Sequence, residues 1–308
     1  METEISIILP TYNGERFIRE SIESCLNQTF QNFELIIVND CSTDNTPLII
    51  EEYAQKDARV KVIRNEFNKK LPQSLNVGFS LAKGAYFTWT SDDNKYASTA
   101  LEIMLSALKN NAEADLVYCD YTLINEKGQI TEIRRFEDVN KSFNNWLGCG
   151  ACFLYKKEIH FSNNGYNPSA FLIEDYDFFV RAYLKYDFLY LPDESLYFYR
   201  EHGASLTVTQ NASINDISKI FLERNLVNLV DKLPSNEIEL LYRKLAVYYA
   251  VYKNNTEKYV EYLKKLSQTS LSKTIITIFY VLFKKLISAL YIGFTGIVYL
   301  PNIMMKRL

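Results

Sequence analysis

The chain has 308 residues, 48% of them hydrophobic, enough apolar mass for one large domain with an appendage or for two domains. Its formal net charge of -3 argues against a general nucleic-acid binder. Five cysteines, an odd and scattered set, fit a reducing compartment better than a disulfide framework.

The opening Met1-Glu2-Thr3-Glu4 has neither a basic n-region nor an apolar h-region, so no signal peptide is expected and the body is placed in the cytoplasm. Ile5 to Leu9 is a short apolar run stopped by Pro10 and predicts a first strand. Glu15 to Leu26 then shows apolar residues at helical spacing. Phe33 to Val38 predicts the second strand, ending in Asn39-Asp40, and Thr46 to Gln55 the second helix, with Asp44 or Asn45 as its N-cap. Val60 to Ile63, Gln73 to Ala82, Tyr86 to Thr90, Thr99 to Leu108 and Asp115 to Cys119 continue the alternation. Strands alternating with helices imply a mainly parallel, doubly wound, Rossmann-like α/β sheet flanked by helices. In such sheets ligands gather beyond the carboxyl ends of the strands, where Thr11, Asp40, Asp92 and Asp93 fall.

From about 121 to 210 the pattern is more irregular and aromatic. Asn125-Glu126-Lys127-Gly128 signals a hairpin, Glu174 to Leu184 a helix and Ser195 to Arg200 a strand. Cys149 and Cys152 form a CxxC without a second pair, and read as small apolar residues in a strand. Beyond Ile214 the pattern is wholly helical. The chain is therefore divided into a catalytic domain over 1–210 and a helical C-terminal extension over 211–308.

Charge is unevenly spread. From Val251 onward nine Lys or Arg face two Glu, a balance of +7 that leaves -10 for the rest. The same region holds the apolar stretches Ile275 to Phe283 and Leu286 to Leu300, separated by Lys284 and Lys285. Neither stretch reaches the roughly 20 residues of a spanning helix. Two amphipathic interfacial helices over 271–308 fit better, with Tyr280, Tyr291 and Tyr299 at headgroup level and anionic lipid beneath them. The alternatives are a helix packed on the body or a contact between copies, a homo-oligomer.

Chemistry concentrates in a few clusters. Tyr86-Phe87-Thr88-Trp89-Thr90-Ser91-Asp92-Asp93-Asn94 is a strand ending in two adjacent carboxylates. Neighbouring carboxylates repel, and a half-buried pair calls for a cation or for hydroxyl groups; Mg2+ or Mn2+ would in turn favour a phosphate-bearing substrate. A solvated acidic turn is the plainer alternative. Pro10-Thr11-Tyr12-Asn13-Gly14 is either an ordinary turn or a place where a Tyr stacks on a base. Asp40 either caps a turn or accepts a hydrogen bond from a nucleobase or ribose. Glu174-Asp175 opens a helix, as the macrodipole favours, and Asp175 can serve as a general base if it faces the cleft. His202, one of two histidines, follows a strand and can complete a metal shell.

Ile7-Ile8-Leu9-Pro10-Thr11-Tyr12-Asn13, Ile36-Ile37-Val38-Asn39-Asp40, Ser91-Asp92-Asp93, Glu174-Asp175 and Tyr199-Arg200-Glu201-His202 occur in the order and rough spacing of the family-2 glycosyltransferases, which the chain resembles over about residues 4–208. The resemblance implies the GT-A fold, a nucleotide-sugar donor such as a UDP-sugar, inversion at the anomeric carbon and a glycan acceptor, and the basic apolar tail adds the expectation of a lipid-linked carrier at the cytoplasmic membrane face. By position it implies that Pro10, Thr11, Tyr12 and Asp40 hold the base, and that Asp92 meets ribose or sugar hydroxyls. It further implies that Asp93 and His202 bind Mn2+ or Mg2+, and that Asp175 is the base with Glu174 in support. Ser91 stands where the family often has Asp, and for a donor-binding Arg only Arg64 or Lys69 offer candidates. Phe143 to Phe171, with Trp146, Gly148 and Gly150, is expected on the acceptor side, Trp146 stacking on a sugar or sitting in the core. An inactive sugar-nucleotide-binding scaffold is the alternative from another class. A nucleotidyltransferase would need a Gly-rich, basic loop that Pro10 to Gly14 lacks.

Overall fold

Strand β1 (Ile5–Thr11) and strand β2 (Phe33–Asn39) are buried along their whole length, as strands covered on both faces must be. The computed structural model describes residues 3–146, 148–203 and 210–295. Its residues form two compact units, Met1–Phe221 and Leu222–Leu308.

In the first unit, β1 and β2 join β3 (Val60–Arg64), β4 (Tyr86–Trp89), β6 (Leu116–Cys119), β9 (Phe153–Lys156) and β10 (Phe188–Leu191) in a seven-stranded sheet of order β10-β6-β9-β4-β1-β2-β3. All pairings are parallel except those of β9, which runs antiparallel to both neighbours. Alternate residues of β1 serve the two faces. Ile5, Ile7 and Leu9 share a core with Ile18 and Ile22 of α1 (Ile18–Leu26), Ile50 of α2 (Thr46–Lys56) and Met104 of α4 (Ala100–Asn110). Ile8 lies on the opposite face, where α3 (Leu71–Leu81) comes so near that a Cβ on Gly78 would stand 2.4 Å from the Ile8 Cγ2. The expected doubly wound α/β sheet is therefore present. The second helix starts as expected, and the Asp44 carboxylate, rather than Asn45, accepts from the Thr46 N–H (3.0 Å).

The order reverses between β1 and β4: β2 and β3 lie to one side of β1, and β4 and the later strands to the other. The carboxyl ends of β1 and β4 thus flank the switch point. A second sheet of order β5-β11-β7-β8 combines β5 (Lys95–Tyr96), β7 (Tyr121–Ile124), β8 (Ile130–Arg134) and β11 (Tyr197–Arg200). The hairpin between β7 and β8 turns at Asn125 to Gly128, with Gly128 at φ 77°. Helices α5 (Lys157–Ser162) and α6 (Glu174–Tyr183) follow β9.

Two expectations are corrected. The CxxC does not lie in a strand: Cys149 and Cys152 are free and buried in the turn just before β9, where Gly148 and Gly150 take positive φ. The apolar C-terminal stretch is not two helices parted at the lysine pair. After α7 (Asn211–Arg224), α8 (Leu226–Lys232), α9 (Ser235–Val247) and α10 (Thr256–Thr269), a single helix α11 runs from Leu271 to Thr295. Lysine is a good helix former, and no Gly or Pro stands near Lys284 and Lys285 to break the turn. No described helix is long and apolar enough to cross a membrane. Residues 296–308, including Tyr299, and the Tyr291 side chain lie outside the described residues.

Candidate active site

The loop after β1 and the loop after β2 are fastened to each other. The Asn13 N–H donates to Ser42 Oγ (3.0 Å), Gly14 N–H to Thr46 Oγ1 (2.9 Å) and Glu15 N–H to Asp44 Oδ2 (3.1 Å). In return, Asn13 Oδ1 accepts from the Thr43 N–H (2.8 Å). Asn13 takes φ 56°, a left-handed conformation that Asn tolerates better than most residues. The turn leaves the Tyr12 ring half exposed at the rim of an open cleft of about 810 Å3.

Across the switch point, Thr11 Oγ1 donates to Asp92 Oδ2 at 2.5 Å. Gly14 packs against this pair: a Cβ there would stand 2.2 Å from Asp92 Oδ2 and 2.7 Å from Thr11 Oγ1. Burial, and next the neighbouring Asp93, push the Asp92 carboxyl up to about 7. Burial raises Asp93 too, against the opposing pull of His202, whose Nε2 is hydrogen-bonded to Asp93 Oδ2 (3.0 Å). The backbone of Asp93 is held by Arg200, 1% exposed, whose Nε donates to the Asp93 carbonyl (2.9 Å). The same guanidinium donates to the Glu126 carbonyl (3.0 Å) and to Glu20 Oε2 (2.8 Å), and lies over the Phe17 ring. A buried guanidinium needs this many partners to offset its desolvation.

Asp40, 4% exposed, has its carboxylate engaged by Asn65 Nδ2 (2.8 Å), the Lys69 N–H (2.8 Å) and the Lys70 N–H (2.9 Å), which fixes the segment 65–70 beside the cleft. On the far wall α6 presents Glu174 and Asp175. Burial lifts both carboxyls above their ordinary range, and at Glu174 the charge of Asp175 adds to it. Glu174 Oε2 is buried without a hydrogen-bond partner, while Asp175 Oδ1 accepts from the Tyr176 N–H (2.7 Å).

All nine residues singled out from the sequence, Pro10, Thr11, Tyr12, Asp40, Asp92, Asp93, Glu174, Asp175 and His202, line this one cleft. Of the basic residues weighed as donor contacts, Arg64 pairs with Glu51 (2.7 Å) and Lys69 contributes its amide to Asp40; Lys70 lines the cleft instead. Trp146 is a core residue, 1% exposed and among Tyr118, Phe143, Tyr183 and Phe188, whereas Gly150, Ala151 and Phe171 reach the cleft. Arg134, Tyr121, Phe136 and Glu201 also line it, and sequence reasoning named none of them as site residues. Only Glu201 carried a signal, its place beside His202.

Among the described residues no group of three or more His, Cys, Asp or Glu is arranged to hold a metal. Asp93 and His202 face each other closely enough to offer two donors to a divalent cation whose other ligands come from a phosphate substrate and water, a division usual for Mg2+.

A parallel sheet with carboxylates gathered at its switch point belongs to the class of α/β enzymes that bind nucleotides there. Residues 6–161 match the family model described as Glycosyl transferase family 2, and the chain belongs to that family: it is a glycosyltransferase. An uncharacterized glycosyltransferase of Rickettsia typhi is 32% identical over 225 residues, covering 70% of this chain and 68% of that one. Glycosyltransferase GlyG of Streptococcus pneumoniae is 29% identical over 232 residues, 68% of this chain and 75% of that one. In fold, the chain is similar to S. aureus TarS 1-349 in complex with UDP-GlcNAc, with TM-score 0.64, 20% identity, and coverage of 88% of this chain and 82% of that one. It is also similar to the mannosyltransferase PcManGT of Pyrobaculum calidifontis in complex with GDP-Man and Mn2+, with TM-score 0.58, 15% identity, and coverage of 96% and 82%.

Two predictions follow from this geometry. Gly14→Ala should drive a methyl into the Thr11–Asp92 pair and cost about 1–3 kcal/mol in chemical denaturation; an unchanged midpoint would mean the turn yields freely. Because the folded state raises the Glu174 carboxyl, it binds more protons than the unfolded chain at pH values above the ordinary Glu range, so this residue costs stability as pH rises through that window. Glu174→Gln should therefore be more stable than wild type at pH 8. The gap should close toward pH 4 at no more than about 1.4 kcal/mol per pH unit, and a gap independent of pH in thermal melts would refute it.

Proposed function

We propose that the enzyme moves a sugar from a nucleotide-sugar donor, a UDP-sugar by preference, to a hydroxyl of a glycan or lipid-linked glycan, with inversion at the anomeric carbon. What supports this most is that the Thr11–Asp92 pair, the Asp93–His202 pair and Asp175 line one cleft at the switch point. The structures of TarS with UDP-GlcNAc and of PcManGT with GDP-Man and Mn2+ add support for a sugar nucleotide and a divalent ion.

In this reading the nucleoside lies along the rim formed by Pro10, Thr11 and Tyr12, with Asp40 and its clamped segment at the base edge. Asp92 accepts from ribose or sugar hydroxyls. Asp93 and His202 would hold Mn2+ or Mg2+, which supplies charge neutralisation to the departing diphosphate. Asp175 takes the proton of the acceptor hydroxyl as its oxygen bonds to the anomeric carbon and the bond to the diphosphate breaks. Burial raises Asp175, which makes it a stronger base than a solvated carboxylate. Glu174 shares the buried charge beside it and supports its position.

A membrane contact would use α11, which carries Ile275, Phe279, Leu282, Phe283 and Leu286 on its exposed surface, with Lys284 and Lys285 between them. Apolar side chains interleaved with lysines suit the interface of an anionic membrane, which would place synthesis of a surface polysaccharide or glycoconjugate at the inner face of the cell membrane.

In a thermal-shift screen, one sugar nucleotide with Mn2+ should raise the Tm, and Asp93→Ala should remove the metal-dependent part. Asp175→Asn should keep donor binding and lower transfer about 1,000-fold; full activity in that variant would remove the base assignment. The protein should co-sediment with phosphatidylglycerol vesicles but not with neutral ones, and Phe279→Asp should weaken this. Equal recovery with both vesicle types, or with neither, would count against the membrane reading.

A further inference from the structure

Arg134 ends β8 and stands in register with Tyr121 of β7, on the wall of the cleft that also carries Phe136 and Gly150. Among the described residues its guanidinium makes no hydrogen bond or ion pair, and its Nε is buried without a hydrogen-bond partner. This is out of keeping with the other arginines around the cleft. Arg16 pairs with Glu126 (2.6 Å), Arg135 with Glu194 (3.3 Å) and Arg200 with Glu20 (2.8 Å). Leaving a buried guanidinium N–H unsatisfied carries its desolvation cost, which is recovered when a ligand supplies the acceptor.

The aromatic residues that share this wall are packed on one another. Tyr121 stacks on Tyr199 (centroids 5.4 Å apart, planes at 28°) and tilts against Phe136 (5.4 Å). Gly150, at φ 60°, lets this platform close up, since a Cβ there would stand 2.5 Å from Phe136 Cζ and 2.8 Å from Tyr121 Cε1. The phenol of Tyr121, raised by burial and by Tyr199, senses Arg134, Asp175 and Glu201 together. Arg134 therefore belongs to the same neighbourhood as the proposed base, whereas Lys70 ends the Asp40-clamped segment on the side of the proposed nucleoside site.

We propose that Arg134 and the Tyr121–Phe136 platform form a subsite for an anionic group of the acceptor, a phosphate ester or a carboxylate, close to the hydroxyl that is glycosylated. The proposal rests on the reading of Asp175 as the acceptor-side base. A guanidinium presents two parallel N–H groups to such an oxyanion, and the aromatic platform suits the face of the sugar or polyol that carries it. The acceptor is then recognised by charge as well as by shape, and the subsite selects phosphorylated or acidic glycans over neutral ones.

The shared chemistry could instead be served by the donor diphosphate, and the test separates the two. Full-length protein saturated with UDP and Mg2+ is titrated with glycerol 1-phosphate, lactate and glycerol, with binding read from ligand NMR signals. One or both anions should bind in the millimolar range and glycerol should not. Arg134→Ala should weaken anion binding about tenfold or more, with Arg134→Lys in between and UDP affinity unchanged in both. Anion binding abolished by UDP, or a drop in UDP affinity in Arg134→Ala, would assign the residue to the donor and overturn the proposal. Wild type that binds neither anion, or binding indifferent to the substitution, overturns it as well. Thermal stabilisation by UDP reports that each variant is folded. Wild type that binds no UDP would count against the donor reading and not against this one, which the anion titration alone still decides.

Discussion

The hydrogen bond from Thr11 Oγ1 to Asp92 Oδ2 ties together the ends of the two strands between which the sheet order reverses, and the arrangement of the cleft is built around it. Parallel pairing fixes β1 against β4, so the residues that leave the two strands emerge side by side. The first loop must then pass close to a carboxylate, and it does so with a glycine. Everything downstream, from the exposed ring of Tyr12 to the position of Asp93, follows from how these two chain ends meet.

The constraint this creates is electrostatic. Asp40, Asp92, Asp93, Glu174, Asp175 and Glu201 line one cleft, and like charges at such spacing disfavour joint ionisation. The fold answers each differently. Asp40 is surrounded by amide donors, Asp93 is balanced by His202 and held through its carbonyl by Arg200, and Glu174 is left with a buried oxygen unmatched. Arg200 also reaches Glu20 of α1, so a single buried guanidinium links a helix, the hairpin loop and the acidic turn. Stability and site geometry are therefore not separable at that residue.

The sheet and most of the cleft could be read from the sequence because each rests on short-range pattern. Buried parallel strands such as Ile5 to Leu9 are continuous apolar runs, and Asp40, Asp92 and Asp93 of the cleft lie shortly after such runs. Arg134 could not be found in this way. Ile130 to Arg134 is a largely exposed strand without a strict alternation, and what makes its last residue notable is a buried Nε with no hydrogen-bond partner among the described residues, a property of three-dimensional neighbours. The same holds for Gly14, which in sequence is an ordinary turn glycine. Helix α11 differs from the pattern for another reason: a lysine pair interrupts hydrophobicity without interrupting helical geometry.

The way Asp40 is held has a consequence for discrimination. Its oxygens are already engaged by Asn65 and by two backbone amides before any ligand arrives, so the group cannot swing to suit a different partner. A ligand with mismatched polar groups must carry the whole penalty itself, because the floor beneath it will not rearrange to share it. That end of the cleft therefore presents a fixed carboxylate to whatever enters it.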